Sequence, residues 1–137
     1  MKSYGLTFLR VTVGVLYLLH AYRLLTVVTP AGTAGFVART FGLPYPGILA
    51  WAVIAALGVG GLMLVTGVLT RGAAAVDALI AAVILVRVHV PPHGLLRASA
   101  IIQPGPAGGF EYGLLLAVAT VTVLMLGSGP LALRPSK

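Results

Sequence analysis

The chain has 137 residues, of which 59% are hydrophobic and 8% are charged. So apolar a composition excludes an ordinary soluble domain and predicts a membrane protein. The net charge of +7 does not indicate nucleic-acid binding, because the basic residues are scattered at the ends of apolar runs, where they meet lipid phosphates. The absence of cysteine excludes dithiol chemistry, thiolate metal sites and disulfides within this chain.

Four apolar stretches separated by Gly/Pro-rich breaks are long enough to cross a bilayer, whose hydrocarbon core of about 30 Å takes roughly 20 residues of helix. We predict membrane spans at residues 5–28, 47–69, 73–90 and 110–127. Because a helix satisfies its own backbone hydrogen bonds, continuous runs of this kind favour helices over an alternating barrel pattern. The sequence therefore predicts an all-α fold, an integral membrane four-helix bundle in a single domain.

The first predicted span carries Arg10 near one end and His20 near the other. Its start resembles a signal sequence, but both residues interrupt the apolar run and no clear cleavage site follows Tyr22. We expect this segment to be retained as a span. After it, aromatic and aliphatic residues flank Arg39, which predicts a short amphipathic piece at the membrane interface.

Small residues in the second span, among them Gly58, Gly60 and Gly61, permit close approach of a neighbouring helix. The connection Thr70-Arg71-Gly72 is so short that the second and third spans are predicted to be antiparallel neighbours. Near this side of the bundle, Arg10 and Asp77 each lie about one turn inside a span. We predict that they form an ion pair whose main role is to fix helix register.

The opposite side of the predicted bundle collects most of the remaining ionisable groups. They come from three spans and comprise His20, Arg23, Arg87, His89 and Glu111. A buried carboxylate is held ionised by a nearby guanidinium, so Arg87 or Arg23 is the expected partner of Glu111. Surplus basic and imidazole groups would remain, and we interpret this cluster as a candidate pocket. A pair that merely locks the helices is the competing interpretation.

Several segments, taken together, resemble the DoxX family of small four-span bacterial membrane proteins. In the first span these are Leu9-Arg10 with Gly14, then His20 with Arg23. The resemblance continues in three further runs: 41–44, 60–71, and 109–112 through 127–131. The chain departs from the family at Ala21, where glycine is frequent, and at 55–57, where an acid is frequent.

The resemblance implies a redox function, because the family takes its name from the membrane part of a thiosulfate-to-quinone oxidoreductase. We therefore expect an accessory or quinone-interacting subunit of a membrane oxidoreductase; whether the chain itself is an enzyme stays open. In that interpretation Arg87 and Arg23 polarise a quinone carbonyl, while a histidine or Glu111 exchanges the proton. A haem held by His20 and His89 is the less favoured cofactor, and no other metal site is indicated.

Distant relatives that are cargo receptors and assembly chaperones imply an alternative, a non-enzymatic scaffold, chaperone or sorting factor. The expected partners are the lipid bilayer and either another protein or further copies of the chain. The expected location is the bacterial inner (plasma) membrane. Basic residues are balanced four against four between the two sides, but Arg23 and Arg87 are assigned to the bundle, so we expect cytoplasmic termini.

Overall fold

The structure, a computed structural model, describes residues 2–89 and 110–133, which form helices joined by short connections. The helices are α1 (Lys2–Thr26), α2 (Thr29–Phe41), α3 (Pro46–Thr66), α4 (Thr70–Ile84) and α5 (Phe110–Leu126). A π-helical turn, Leu85–His89, continues α4. The predicted all-α fold is confirmed, and the short amphipathic piece predicted around Arg39 is a helix of 13 residues.

Two of the described helices are long and apolar enough to cross a membrane, at Tyr4–Thr26 and Pro46–Thr66. The apolar part of α5, Glu111–Leu126, is shorter. Helices α1, α3, α4 and α5 lie where the four spans are predicted, with bounds that differ by a few residues. That all four cross the bilayer stays a prediction.

Glycine and proline set the helix boundaries. Proline lies in the first turn of α2 and of α3, where its missing N–H leaves no hydrogen bond unmade. Gly67 ends α3 in a left-handed conformation, φ 77°, and its N–H donates to Met63 O at 2.8 Å. Leu69 also takes a left-handed conformation, φ 46°, so the chain reverses within three residues and α4 begins at Thr70.

The four long helices pack in a ring, in which α1 and α4 each contact both α3 and α5. Helix α2 lies against α3 and α1. The apolar core of the interior includes Val13, Tyr17, Ala21, Leu57, Leu64, Ala74, Leu116 and Val123. Large hydrophobic side chains also cover the outer surface, for example Phe8, Leu115 and Met125. Apolar residues on both faces are what a helix bundle surrounded by lipid requires.

Helices α1 and α3 cross in backbone contact at Gly14 and Gly61. A β-carbon added at Gly61 would lie 2.9 Å from Gly14 O, and one added at Gly14 would lie 2.8 Å from Gly61 O. Without a hydrophobic driving force between helices in lipid, such close packing is a main source of association. The small residues of the second span therefore do serve a helix crossing.

We predict that Gly61→Ala weakens this crossing. The added methyl group meets the backbone of α1, and overpacking of this kind costs about 1–3 kcal/mol. Thermal unfolding in detergent, followed by the loss of helical circular dichroism, measures the effect.

Gly47→Ala is the matched control, since Gly47 lies on the same helix and a β-carbon there meets nothing within 4 Å. Its stability should change by no more than about 0.5 kcal/mol. Equal effects of the two substitutions would contradict the close crossing.

Candidate functional site

The side chain of Arg10 holds together the end of the bundle at which α3 and α5 end. Its side chain is only 1% exposed, and its guanidinium donates hydrogen bonds to Ser128 O and, at 3.0 Å, to Leu131 O. Both carbonyls belong to the segment after α5. Gly67 leaves room for the guanidinium, because an added β-carbon there would collide with it. One cation thus joins α1, the end of α3 and the chain beyond α5.

The predicted Arg10–Asp77 ion pair is wrong. The Asp77 carboxylate lies beside Gly60, 2.5 Å from the position of an added β-carbon, whereas the Arg10 guanidinium lies beside Gly67. These glycines are seven residues apart along α3, a separation of about 10 Å at about 1.5 Å per residue. The prediction placed Asp77 too close to the helix end, because α4 begins at Thr70 and Asp77 is two turns inside it.

Asp77 is instead buried in the middle of the bundle, with 0% of its side chain exposed. Neither of its carboxylate oxygens has a hydrogen-bond partner among the described residues. Its backbone carbonyl accepts from Tyr17 Oη at 3.3 Å, and Tyr17 lies near the middle of the apolar segment Tyr4–Thr26. Asp77 is therefore a deeply placed acid, which in a membrane protein is a candidate functional group.

At the other end of the bundle, His20 of α1 stacks on Tyr112 of α5. The ring centroids are 5.8 Å apart and the ring planes differ by 14°. His20 and Glu111 therefore lie at the same end, since Tyr112 is the neighbour of Glu111 in the chain. The His20 Nδ1 lies 2.9 Å from Leu16 O. A carbonyl oxygen only accepts, so Nδ1 carries the hydrogen, and in the neutral ring Nε2 is an acceptor.

The other predicted members of this cluster are less closely gathered. Arg23 and Arg87 are exposed, and the Arg87 guanidinium lies over the Phe41 ring of α2, 5.8 Å from its centroid. Glu111 is half-buried at the start of α5. The side chain of His89 lies outside the described residues, so its pairing with His20 around a haem stays a prediction. Among the described side chains, no three His, Asp or Glu gather as a metal site.

A cavity of about 110 Å³, which we call the headgroup cavity, lies between α1, α4 and α5. Tyr17, His20 and Tyr112 supply its polar groups, and its apolar walls include Leu57, Ile80, Ile84 and Leu116. Neither Arg23 nor Arg87 lines it. Sequence reasoning missed Tyr17, although its spacing of three residues before His20 places both on one helix face.

Tyr17 also belongs to a small buried hydrogen-bond network. Its hydroxyl lies 2.8 Å from Thr120 Oγ1 of α5, and Thr120 Oγ1 donates to Leu116 O at 2.7 Å. Tyr17 thus connects the headgroup cavity with the carbonyl of Asp77. These neutral polar residues were missed because sequence reasoning followed charges.

A second cavity of about 280 Å³, the tail cavity, lies between α2 and the bundle. Its lining is apolar apart from Thr33 and includes Leu24, Phe36, Val37, Phe41, Val53, Leu79 and Val83. It shares Ile80 and Ile84 with the headgroup cavity. The two cavities therefore adjoin, and those two isoleucines lie between them.

The described residues form helices and short connections, and two of these helices are long and apolar enough to cross a membrane, as expected of a membrane protein. The family model described as DoxX matches residues 5–90, and the chain belongs to the DoxX family. The match takes in α1 to α4 and ends before α5, so Tyr112 and Thr120 lie outside it. No curated protein and no solved structure matches the chain.

We predict that Arg10→Met destabilises the protein by about 1–3 kcal/mol, because the buried carbonyl of Ser128 loses its donor and the bond to Leu131 O is also lost. Arg39→Met is the control, since Arg39 is an exposed arginine on α2. Unfolding in detergent, followed by circular dichroism, compares the two variants. If Arg10→Met unfolds like the control, the guanidinium does not hold the end of the bundle.

Proposed function

We propose that this DoxX-family protein is a quinone-binding subunit of a membrane redox system in the bacterial inner membrane. The observation that carries the proposal is the pair of adjoining cavities, one with an imidazole and two phenols and the other almost wholly apolar. A membrane quinone has the same two parts, a flat polar ring and an isoprenoid chain.

The headgroup cavity suits a quinone ring because it has an aromatic wall and a hydrogen-bond acceptor, the Nε2 atom of His20. The imidazole of His20 and the ring of Tyr112 are already stacked, which offers a flat surface for a further ring. Because Nδ1 of His20 is held by Leu16 O, Nε2 accepts a hydrogen bond from a quinol hydroxyl. The hydroxyl of Tyr17 already bonds with Asp77 O and Thr120 Oγ1, so Tyr17 contributes the surface of its ring to this cavity.

In this proposal Arg87 and Arg23 do not have the role that the sequence predicted for them. Arg87 lies over Phe41, which also lines the tail cavity, and Arg23 is exposed. Neither is placed to polarise a carbonyl in the headgroup cavity, so binding there depends on His20 and the two tyrosines. The ligand-sized pockets of proteins span about 300–1,000 Å³, and the two cavities together reach the lower part of that range.

We predict that His20→Phe weakens quinone binding about tenfold, because the aromatic stack on Tyr112 is kept while the acceptor nitrogen is lost. The dissociation constant of a short-chain quinone is measured on the purified protein in detergent. Tyr22→Phe is the control, since Tyr22 lies on the same helix and faces outward.

A second variant tests the tail cavity. Val37→Phe fills that space, so binding of an isoprenoid quinone should weaken about tenfold while binding of a short-chain quinone is kept. Val118→Phe, on the outer face of α5, is the control.

Unchanged affinity in His20→Phe would contradict the quinone site. Purification with a stable protein partner and without any extractable quinone would favour the scaffold or chaperone alternative.

A further inference from the structure

Arg87 is an exposed cation that the proposed quinone site leaves without a role. It belongs to the π-helical turn Leu85–His89, and its guanidinium lies over the Phe41 ring of α2, 5.8 Å from the ring centroid. A guanidinium whose face rests on a ring keeps its N–H groups at its edge, where they can still donate. No carboxylate pairs with Arg87 in the part of the chain that the structure describes. Its donors are therefore available to a ligand.

An open groove, which we call the outer groove, extends from Arg87 along the outer side of α4. Its volume is about 470 Å³, and it is lined by Phe41, Ala82, Val83, Val86 and Arg87. The spacing of the four residues from α4 places them along one face of that helix. Val83 is 41% exposed and Val86 is 57% exposed, so apolar side chains cover this face on the outside of the bundle. The outer groove is thus an apolar surface with a cation at one end.

This combination of charge and apolar surface selects the occupant. A guanidinium binds a phosphate through two parallel N–H···O bonds, and basic residues at the membrane surface attract anionic lipids. The walls of the outer groove offer no hydrogen-bonding side chain besides Arg87, and an acyl chain needs none. An extended peptide would bring unsatisfied backbone groups against these walls. A second copy of this chain would bring mostly like charge, because nine Lys and Arg stand against two acids.

We propose that Arg87 and the outer groove bind one anionic phospholipid, with its phosphate on the guanidinium and one acyl chain along Val83 and Val86. The outer groove shares Phe41 and Val83 with the tail cavity, so the bound acyl chain lies against the wall of that cavity. The inference rests on Arg87 and the outer groove and not on the quinone proposal, and its test uses the protein without quinone.

A tryptophan placed in the outer groove reports which lipid lies there. Trp51 is the only tryptophan, so Trp51→Phe gives a silent background to which Val86→Trp is added. The protein is reconstituted in phosphatidylcholine vesicles, and lipids with brominated acyl chains quench the tryptophan fluorescence on contact. We expect brominated phosphatidylglycerol, which has one net negative charge, to bind this position about fivefold more tightly than brominated phosphatidylcholine.

Leu115→Trp in the same background is the control for general contact with lipid. Leu115 is 69% exposed on α5 and does not line the outer groove. The two brominated lipids should differ there by less than about twofold. Native mass spectrometry of the unaltered protein, which keeps Val86, compares the retention of the same two phospholipids without any change in the groove.

A further substitution tests the guanidinium. Arg87→Gln, added to the Val86→Trp protein, should reduce the preference for phosphatidylglycerol to less than about twofold, because the partner of the phosphate is lost. Arg23→Gln is the matched control. It removes one exposed positive charge from the same end of the bundle, but Arg23 does not line the outer groove, so the preference should be kept.

Three results would overturn the inference. Equal quenching by the two lipids at Val86→Trp, together with their equal retention by the unaltered protein, would show that the outer groove does not select anionic lipid. A preference that persists in Arg87→Gln would show that another group holds the phosphate. An equal loss in Arg87→Gln and Arg23→Gln would assign the attraction to net charge alone. Quinone affinity in His20→Phe bears on none of these results, so the two proposals fail separately.

Discussion

The guanidinium of Arg10 is the contact on which one whole end of the bundle depends. A polar backbone group in hydrocarbon must be satisfied within the protein, and the carbonyls after α5 have left their helix. Arg10 satisfies two of them from α1, and Gly67 provides the space because it carries no side chain. Leu133 N donates to Thr66 O at 3.1 Å, which ties the same segment to α3. At this end of the bundle, the Arg10 guanidinium and the main-chain carbonyl groups therefore hold α1, α3 and the segment after α5 together.

The opposite half of the bundle is built differently. Its polar groups are aromatic or imidazole side chains around cavities rather than a buried guanidinium that donates to two carbonyls. Polar groups whose hydrogen bonds are satisfied within the protein make an element rigid. Cavities, and polar groups with hydrogen-bonding capacity to spare, leave room for a ligand. Both of the cavities described above lie in the half of the bundle away from Arg10.

The helices were predictable from the sequence because length and apolar composition are properties of a whole stretch. Short connections with proline and glycine then placed the ends within a few residues. The pairing of Arg10 with Asp77 was wrong for a local reason: Gly67 and Leu69 reverse the chain so tightly that α4 starts early and carries Asp77 deeper than expected. An error of one turn in depth is enough to replace an ion pair by an isolated acid.

The direction of each side chain was harder to predict than its depth. His20, Arg23, Arg87 and Glu111 come from the same end, but only His20 lines the cavity, because each residue advances about 100° around its helix. Tyr17 and Thr120 were not predicted as part of the site, because a neutral hydroxyl group does not stand out in the charge or the hydropathy of a segment. Yet in hydrocarbon a hydroxyl also needs a partner, so polar neutral residues that share a helix face with a charged one predict a network. The spacing of seven residues from Arg10 to Tyr17, and of three from Tyr17 to His20, places all three on one face of α1. This face runs from the end of the bundle at Arg10, past Asp77, to the cavity beside His20.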